Sequence, residues 1–188
     1  MAQATLEQVV DGMITNSSGT SQTTTEPLLV FKVSGSNTQG VVLEVDPSAL
    51  PAGAVITKVE VTYDLVVITG GGTINFIDME AIRLSDGAAA VWAQLEAGDA
   101  YTSHGDPSTG TFTRDLGASA VLDLQEKFDT AAGYYCLGWQ YALGGGTRQT
   151  QVDNDAILIV TYTAPGPPLG ALARNRFSNL EGLGGLNG

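Results

Sequence analysis

The sequence predicts an all-β fold: an antiparallel β-sandwich with one or two short helices and extended arms at both ends. Three observations lead there. Val55, Val59, Val61, Tyr63, Leu65 and Val67 fall at odd positions, with Lys58, Glu60, Thr62 and Asp64 between them, the period of a strand with one wet and one buried face. Several further short apolar runs are separated by turn-forming residues. Segments with helical spacing are too few to supply the crossovers of a parallel sheet.

Taken in order, residues 1–26 read as an N-terminal arm. A short apolar pattern (Leu6, Val9, Val10, Met13) is followed by a Ser- and Thr-rich tract from Thr15 to Glu26. Residues 27–163 form the body. Pro27–Val33 and Val41–Val45 read as strands either side of the turn-prone Ser34-Gly35-Ser36-Asn37, and Val55–Thr69 is the clearest strand of all. Gly70-Gly71-Gly72 can supply positive φ, so Val55–Thr69 and Thr73–Leu84 are expected to form a hairpin. Thr111–Asp115, Tyr134–Leu143 and Ala156–Thr163 complete the strands, and Gly144–Gly146 reads as a second hairpin turn. Ala118–Phe128 carries Val121, Leu122, Gln125 and Phe128 at helical spacing, with Ser119 near its start and Gly133 beyond its end. Ala88–Ala97 is a weaker helical candidate. Residues 164–188 begin Ala164-Pro165-Gly166-Pro167-Pro168 and continue as a Gly- and Leu-rich C-terminal arm.

Composition narrows function. The 188 residues carry twenty acidic and eight basic side chains, a net charge of −12, and the basic residues are dispersed. Phosphate backbones are bound by clustered Lys and Arg, so no nucleic-acid partner is expected, and an anionic membrane surface would repel the body. No run reaches the 18 or so apolar residues of a spanning helix. Met1–Gln8 has neither a basic n-region nor an apolar h-region, so synthesis in the cytoplasm without a secretion signal is expected. The single cysteine, Cys136, lies in the run Tyr134-Tyr135-Cys136-Leu137-Gly138-Trp139 and reads as a buried structural thiol.

The order of elements resembles a known family. Leu50-Pro51-Ala52-Gly53-Ala54-Val55-Ile56-Thr57-Lys58-Val59-Glu60-Val61 is similar to the opening of jelly-roll modules related to carbohydrate-binding domains, where a Leu-Pro-x-Gly turn leads into a long strand. The likeness continues through the helix Val121–Phe128, the Gly-rich strand Gly133–Trp139 and the closing strand Ile157–Thr163, covering roughly residues 28–163. It implies a jelly-roll sandwich. Similar modules serve as capsid decoration, cement and fibre proteins of tailed bacteriophages.

Chemistry-bearing residues are sparse. His104, the only histidine, has Asp99 and Asp106 nearby, but one imidazole with loop carboxylates is a poor zinc site, and it reads as a loop residue. Ser103, His104 and Asp106 spell a triad on paper, yet neighbours in one loop lack its geometry and no nucleophile elbow is present. Asp153-Asn154-Asp155 offers oxygen ligands without calcium-loop spacing and reads as a solvated turn. Trp92 and Trp139 could stack on sugar rings, although both read more naturally as core. Neither glycine run has the Gly-Lys-Ser/Thr ending of a phosphate loop. No enzyme, cofactor or metal is expected.

The C-terminal arm is the functional clue. Leu180, Leu183 and Leu186 recur every third residue among Gly182, Gly184 and Gly185, and each glycine costs a helix up to about 1 kcal/mol relative to alanine. Ordering such a strip costs about 1–2 kcal/mol per residue. Burying Leu169, Leu172, Phe177, Leu180, Leu183 and Leu186 on a neighbour would offset this at about 1.5–3 kcal/mol per side chain, with Arg174 and Arg176 pairing to acidic groups. These eight residues are the expected docking arm. The resemblance and the arm together imply a virion structural protein, a capsid decoration or cement subunit that binds a major capsid or other virion protein and its own copies, a trimer being the favoured oligomer. The alternative is a glycan- or receptor-binding module of a phage fibre or other appendage.

Overall fold

A computed structural model describes residues 1–16, 20–23, 28–32, 39–70, 72–79, 82–105, 108–142, 148–152 and 156–164. The docking arm from Leu169 to Leu186, Asp106 and Asp153-Asn154-Asp155 lie outside them.

Among the described residues, eleven strands and two α-helices follow one another as β1 (Ala2–Asn16), β2 (Thr20–Thr23), β3 (Leu28–Lys32), β4 (Gln39–Val45), β5 (Val55–Thr69), β6 (Thr73–Asp78), α1 (Ala88–Ala97), β7 (Ala100–Gly105), β8 (Gly110–Asp115), α2 (Gly117–Asp129), β9 (Tyr135–Tyr141), β10 (Arg148–Val152) and β11 (Ile157–Thr163). All the pairings between them are antiparallel, and they form two sheets packed as a sandwich. In the first sheet β5 is the organiser. It pairs with β10 along Leu65–Thr69, with β11 along Val55–Thr62 and with β8 along Glu60–Leu65. The second sheet runs β4–β9–β6–β7, with β2 beside the far end of β1.

One strand belongs to both sheets. Residues 2–7 of β1 pair with β11, and from Gln8 onward β1 pairs with β4, the register shifting between Gln8 and Val10. A bulge at that point lets a strand bend from one sheet into the other. Residues 2–16 are therefore part of the body and not of an N-terminal arm. The alternation is present there, with Ala2 and Ala4 packed on the core and Leu6 only 2 % exposed. Small alanines make that signal faint.

The hairpin expected across Gly70–Gly72 is not formed. β5 and β6 lie in different sheets, and Gly70 (φ 75°) and Gly72 (φ 148°) belong to an arch between them. The same holds for β9 and β10, which pair with different partners.

The main core lies between the sheets. Val59, Val61, Tyr63 and Leu65 of β5 face Val41, Leu43 and Val45 of β4 and Leu137, Trp139 and Tyr141 of β9, and Leu116, Ala120 and Leu124 of α2 join them. Alternation in β5 holds from Val59 to Leu65 and fails at both ends. Val55 and Val67 are 58 % and 39 % exposed, beyond register shifts opposite β11 and β10.

β4 and β9 are buried throughout because both their faces are covered. Their outer face carries Val42 and Cys136, packed with Ile77, Met79 and Leu84 beneath Val91, Trp92 and Leu95 of α1. Close approach is secured by Gly138, where a β-carbon would stand 2.6 Å from Leu95 Cδ2 and 2.7 Å from Met79 Sδ.

If β1 ties the sheets together, Leu6→Ala lowers the unfolding free energy by about 2–5 kcal/mol, the usual cost of truncating a buried leucine. Leu122→Ala, at a position 69 % exposed, changes it by no more than about 0.5 kcal/mol. Urea titration of both variants makes the comparison.

Candidate functional site

The residues singled out for chemistry are mostly inside the protein. His104 sits on β7 and not in a loop, 6 % exposed. Its Nδ1 is 2.7 Å from Tyr63 Oη, and its ring stands edge-on to Phe112 with centroids 4.6 Å apart. Tyr63, Phe76 and Trp139 pack against one another with centroids 5.1–5.5 Å apart. Burial, and secondarily the Arg114 charge, hold the imidazole below its ordinary pKa, while burial pushes Tyr63 up to about 12. Both groups are thus kept neutral. Ser103 beside it is exposed, and the two do not form a nucleophile–base pair: alternate residues of a strand point to opposite faces.

Cys136 is buried as expected, and its thiol donates to Glu44 Oε2 at 3.7 Å. Burial first, and then the Glu44 carboxylate, push that thiol well above its ordinary range, so it is no nucleophile. Glu44 is itself 3 % exposed and paired with Arg83, whose guanidinium lies 4.4 Å from the centre of the Tyr134 ring. This ion pair between a buried carboxylate and a partly exposed guanidinium was missed from sequence. Its one signal was a lone charge inside Val41-Val42-Leu43-Glu44-Val45. Trp92 and Trp139 are 5 % and 1 % exposed and offer no stacking face to a sugar. No group of three or more His, Cys, Asp or Glu side chains among the described residues is placed to hold a metal ion, and no helix among them is long and apolar enough to cross a membrane.

What remains open is a groove of about 490 Å³ at one end of the sandwich. One wall is the Leu-Pro-x-Gly segment that opens β5. The Asp46 carboxylate accepts from the Ser48 backbone N–H at 2.8 Å and starts a single 3₁₀ turn, Pro47–Ala49. Ala54 N–H then donates to Pro51 O at 2.9 Å, closing a turn whose third residue is Gly53 at φ 75°, the position where a type II turn favours glycine. The other wall is the C-terminal end of α2 with Lys127, Phe128 and Asp129, followed by Ala131 and Gly133.

Gln125 clamps the two walls. Its Oε1 accepts from Ile56 N–H at 2.7 Å, and its Nε2 donates to Ala54 O at 3.3 Å and to Asp129 Oδ1 at 2.9 Å. The helix pattern that made Gln125 visible in sequence gave no hint of this role. Ala131 is the one non-glycine residue of positive φ (51°) among the described residues. A left-handed alanine costs about 1–2 kcal/mol. The conformation caps α2: Ala131 N–H donates to Phe128 O at 3.1 Å and Ala132 N–H to Lys127 O at 3.0 Å, the bonds that end a helix on a left-handed residue.

A second groove, about 420 Å³, lies between the end of α1 and the outer face of β6 and β9, with Asn75, Glu96, Asp99 and Gln140 on its lining. The chain matches no protein-family model and no curated protein.

Two outcomes follow. Ala131→Gly raises the unfolding free energy by about 1 kcal/mol through relief of the left-handed strain, measurable by denaturant titration. His104, as the single imidazole, gives one titration curve by NMR, and its midpoint lies below the ordinary value of about 6.5. Because the unfolded chain takes up that proton first, the stability linked to His104 is intact above about pH 6.5 and is lost as pH falls from there towards the folded midpoint. A midpoint at or above 6.5 contradicts the buried, neutral ring.

Proposed function

We propose that this protein is a virion structural subunit, a bacteriophage capsid decoration or cement protein of jelly-roll type that acts by docking and not by catalysis. One observation carries the reading. The two cores formed by the described residues draw on Leu6 to Tyr162, while Leu169, Leu172, Phe177, Leu180, Leu183 and Leu186 follow the closing strand in sequence with Arg174 and Arg176 among them. β11 is flanked on one side by β5 and on the other by β1, so the main core closes on a paired strand. Six large apolar side chains and two cations within eighteen residues rich in glycine are material for binding other subunits.

Catalysis has little support. The imidazole and the thiol are buried and held neutral, and a general base needs both access and a pKa near the working pH. The partner in this proposal is a major capsid or other virion protein together with further copies of the chain, a trimer being favoured. The mechanism is thermodynamic: a subunit that binds only the assembled shell stabilises that shell. The alternative, a glycan- or receptor-binding module of a fibre or other appendage, is weakened by the burial of Trp92 and Trp139.

Deleting residues 165–188 leaves a body with an unchanged circular-dichroism spectrum and a cooperative unfolding transition. The same deletion abolishes its incorporation when it is added to native particles stripped of the protein, whereas full-length chain restores occupancy. Full occupancy by the truncated protein contradicts the docking role.

A further inference from the structure

The groove at the end of the sandwich lies where the chain leaves the body. Thr163, the last residue of β11, pairs with Val55, and its Oγ1 donates to Val55 O at 3.4 Å. Gly53, on the groove lining, is two residues before Val55. β11 runs antiparallel to β5, so the chain at Thr163 heads towards the end of the sandwich from which the Leu50–Ala54 segment enters. The residues that follow are Ala164-Pro165-Gly166-Pro167-Pro168-Leu169.

The groove and this segment are chemically matched. Pro47, Leu50, Ala52 and Phe128 give it apolar walls, and the Ala131 methyl is held there in a strained conformation. A proline-rich segment has little backbone freedom to lose on docking, which is why such segments are recognised in apolar and aromatic grooves. The segment Pro165–Leu172 carries no charge, and the groove lining sets one cation, Lys127, beside one anion, Asp129, so the match rests on apolar surface.

We infer that this groove is the seat of the chain's own segment Pro165–Leu172, bound within the same molecule, with Leu169 as its apolar anchor. Leu169 is six residues beyond Thr163, a reach of up to about 20 Å at 3.3–3.6 Å per residue. Tethering at the rim gives the segment an effective local concentration on the order of millimolar, which a neighbouring copy does not match in dilute solution. The seat takes Leu169 and Leu172 out of the partner-docking set and leaves Arg174, Arg176, Phe177, Leu180, Leu183 and Leu186 to engage a partner. It does not depend on the arm's partner being a virion, and either claim can fail without the other.

The test compares amide NMR spectra of the full chain, the chain ending at Ala164, and full-length Leu169→Asp, each at two concentrations tenfold apart. The amides of Ala52, Gly53, Phe128, Ala131 and Gly133 shift on truncation, shift the same way in Leu169→Asp, and are unaffected by dilution of the full chain. Groove amides identical in all three proteins overturn the inference. So do groove shifts that disappear on dilution, which assign the groove to another copy's arm. Loss of particle incorporation with unmoved groove amides leaves the docking role standing and removes only this seat.

Discussion

β1 holds hydrogen-bonded ladders in both sheets, and the sandwich depends on that shared strand. Its first half is bound to β11 and its second half to β4, with the register shift at Gln8/Val10 marking the bend. Two sheets held only by apolar contact can slide, since burial is non-directional. A strand paired in both fixes their relative position through directional bonds, and Leu6 places its side chain in the core just before the crossing. β4 and β9 can then be buried on both faces, with the aromatic core inside and α1 outside.

The opposite side is closed by side chains. β7 and β8, consecutive in the chain, pair into different sheets, β7 with β6 and β8 with β5. The rings of His104 and Phe112 meet across the gap and rest on Tyr63. A neutral imidazole suits this place, because a charged one would be held in a low-dielectric setting with Arg114 as its neighbour. The histidine read from sequence as a loop residue is an edge seal, and the tryptophans, read as core, are its backing and the roof of the second core. Among the described residues, His104, Cys136, Trp92 and Trp139 are drawn inward, while grooves stand open by Gly53 and Phe128 and by Asp99.

Much of the architecture was legible in the sequence. Val55–Thr69 was readable in its bounds because large β-branched and aromatic side chains alternate with charges, α2 was readable from its spacing and the glycine beyond its end, and α1 stood only as a weaker candidate. β1 was obscured because its inward positions are alanines followed by a bulge, and β2, β7 and β10 because short polar strands resemble loops. The glycine runs misled in another way. Positive φ signals a change of direction, but it does not say whether the chain returns to the same sheet or arches to the facing one. The Gln125 clamp, the Glu44–Arg83 pair and the groove join residues 39–86 apart in sequence, a relation that no local pattern encodes.

A body locked by a shared strand suits the proposed docking role, since a rigid anchor loses no order on binding. Native-state hydrogen exchange of the backbone amides of β1 tests the lock most directly. Hydrogen-bonded amides among residues 3–7 and among residues 10–15 exchange with one common free energy, equal to that of global unfolding. Faster, denaturant-independent exchange of residues 3–7 while β4, β5 and β9 stay protected would show a separable N-terminal segment and contradict the account.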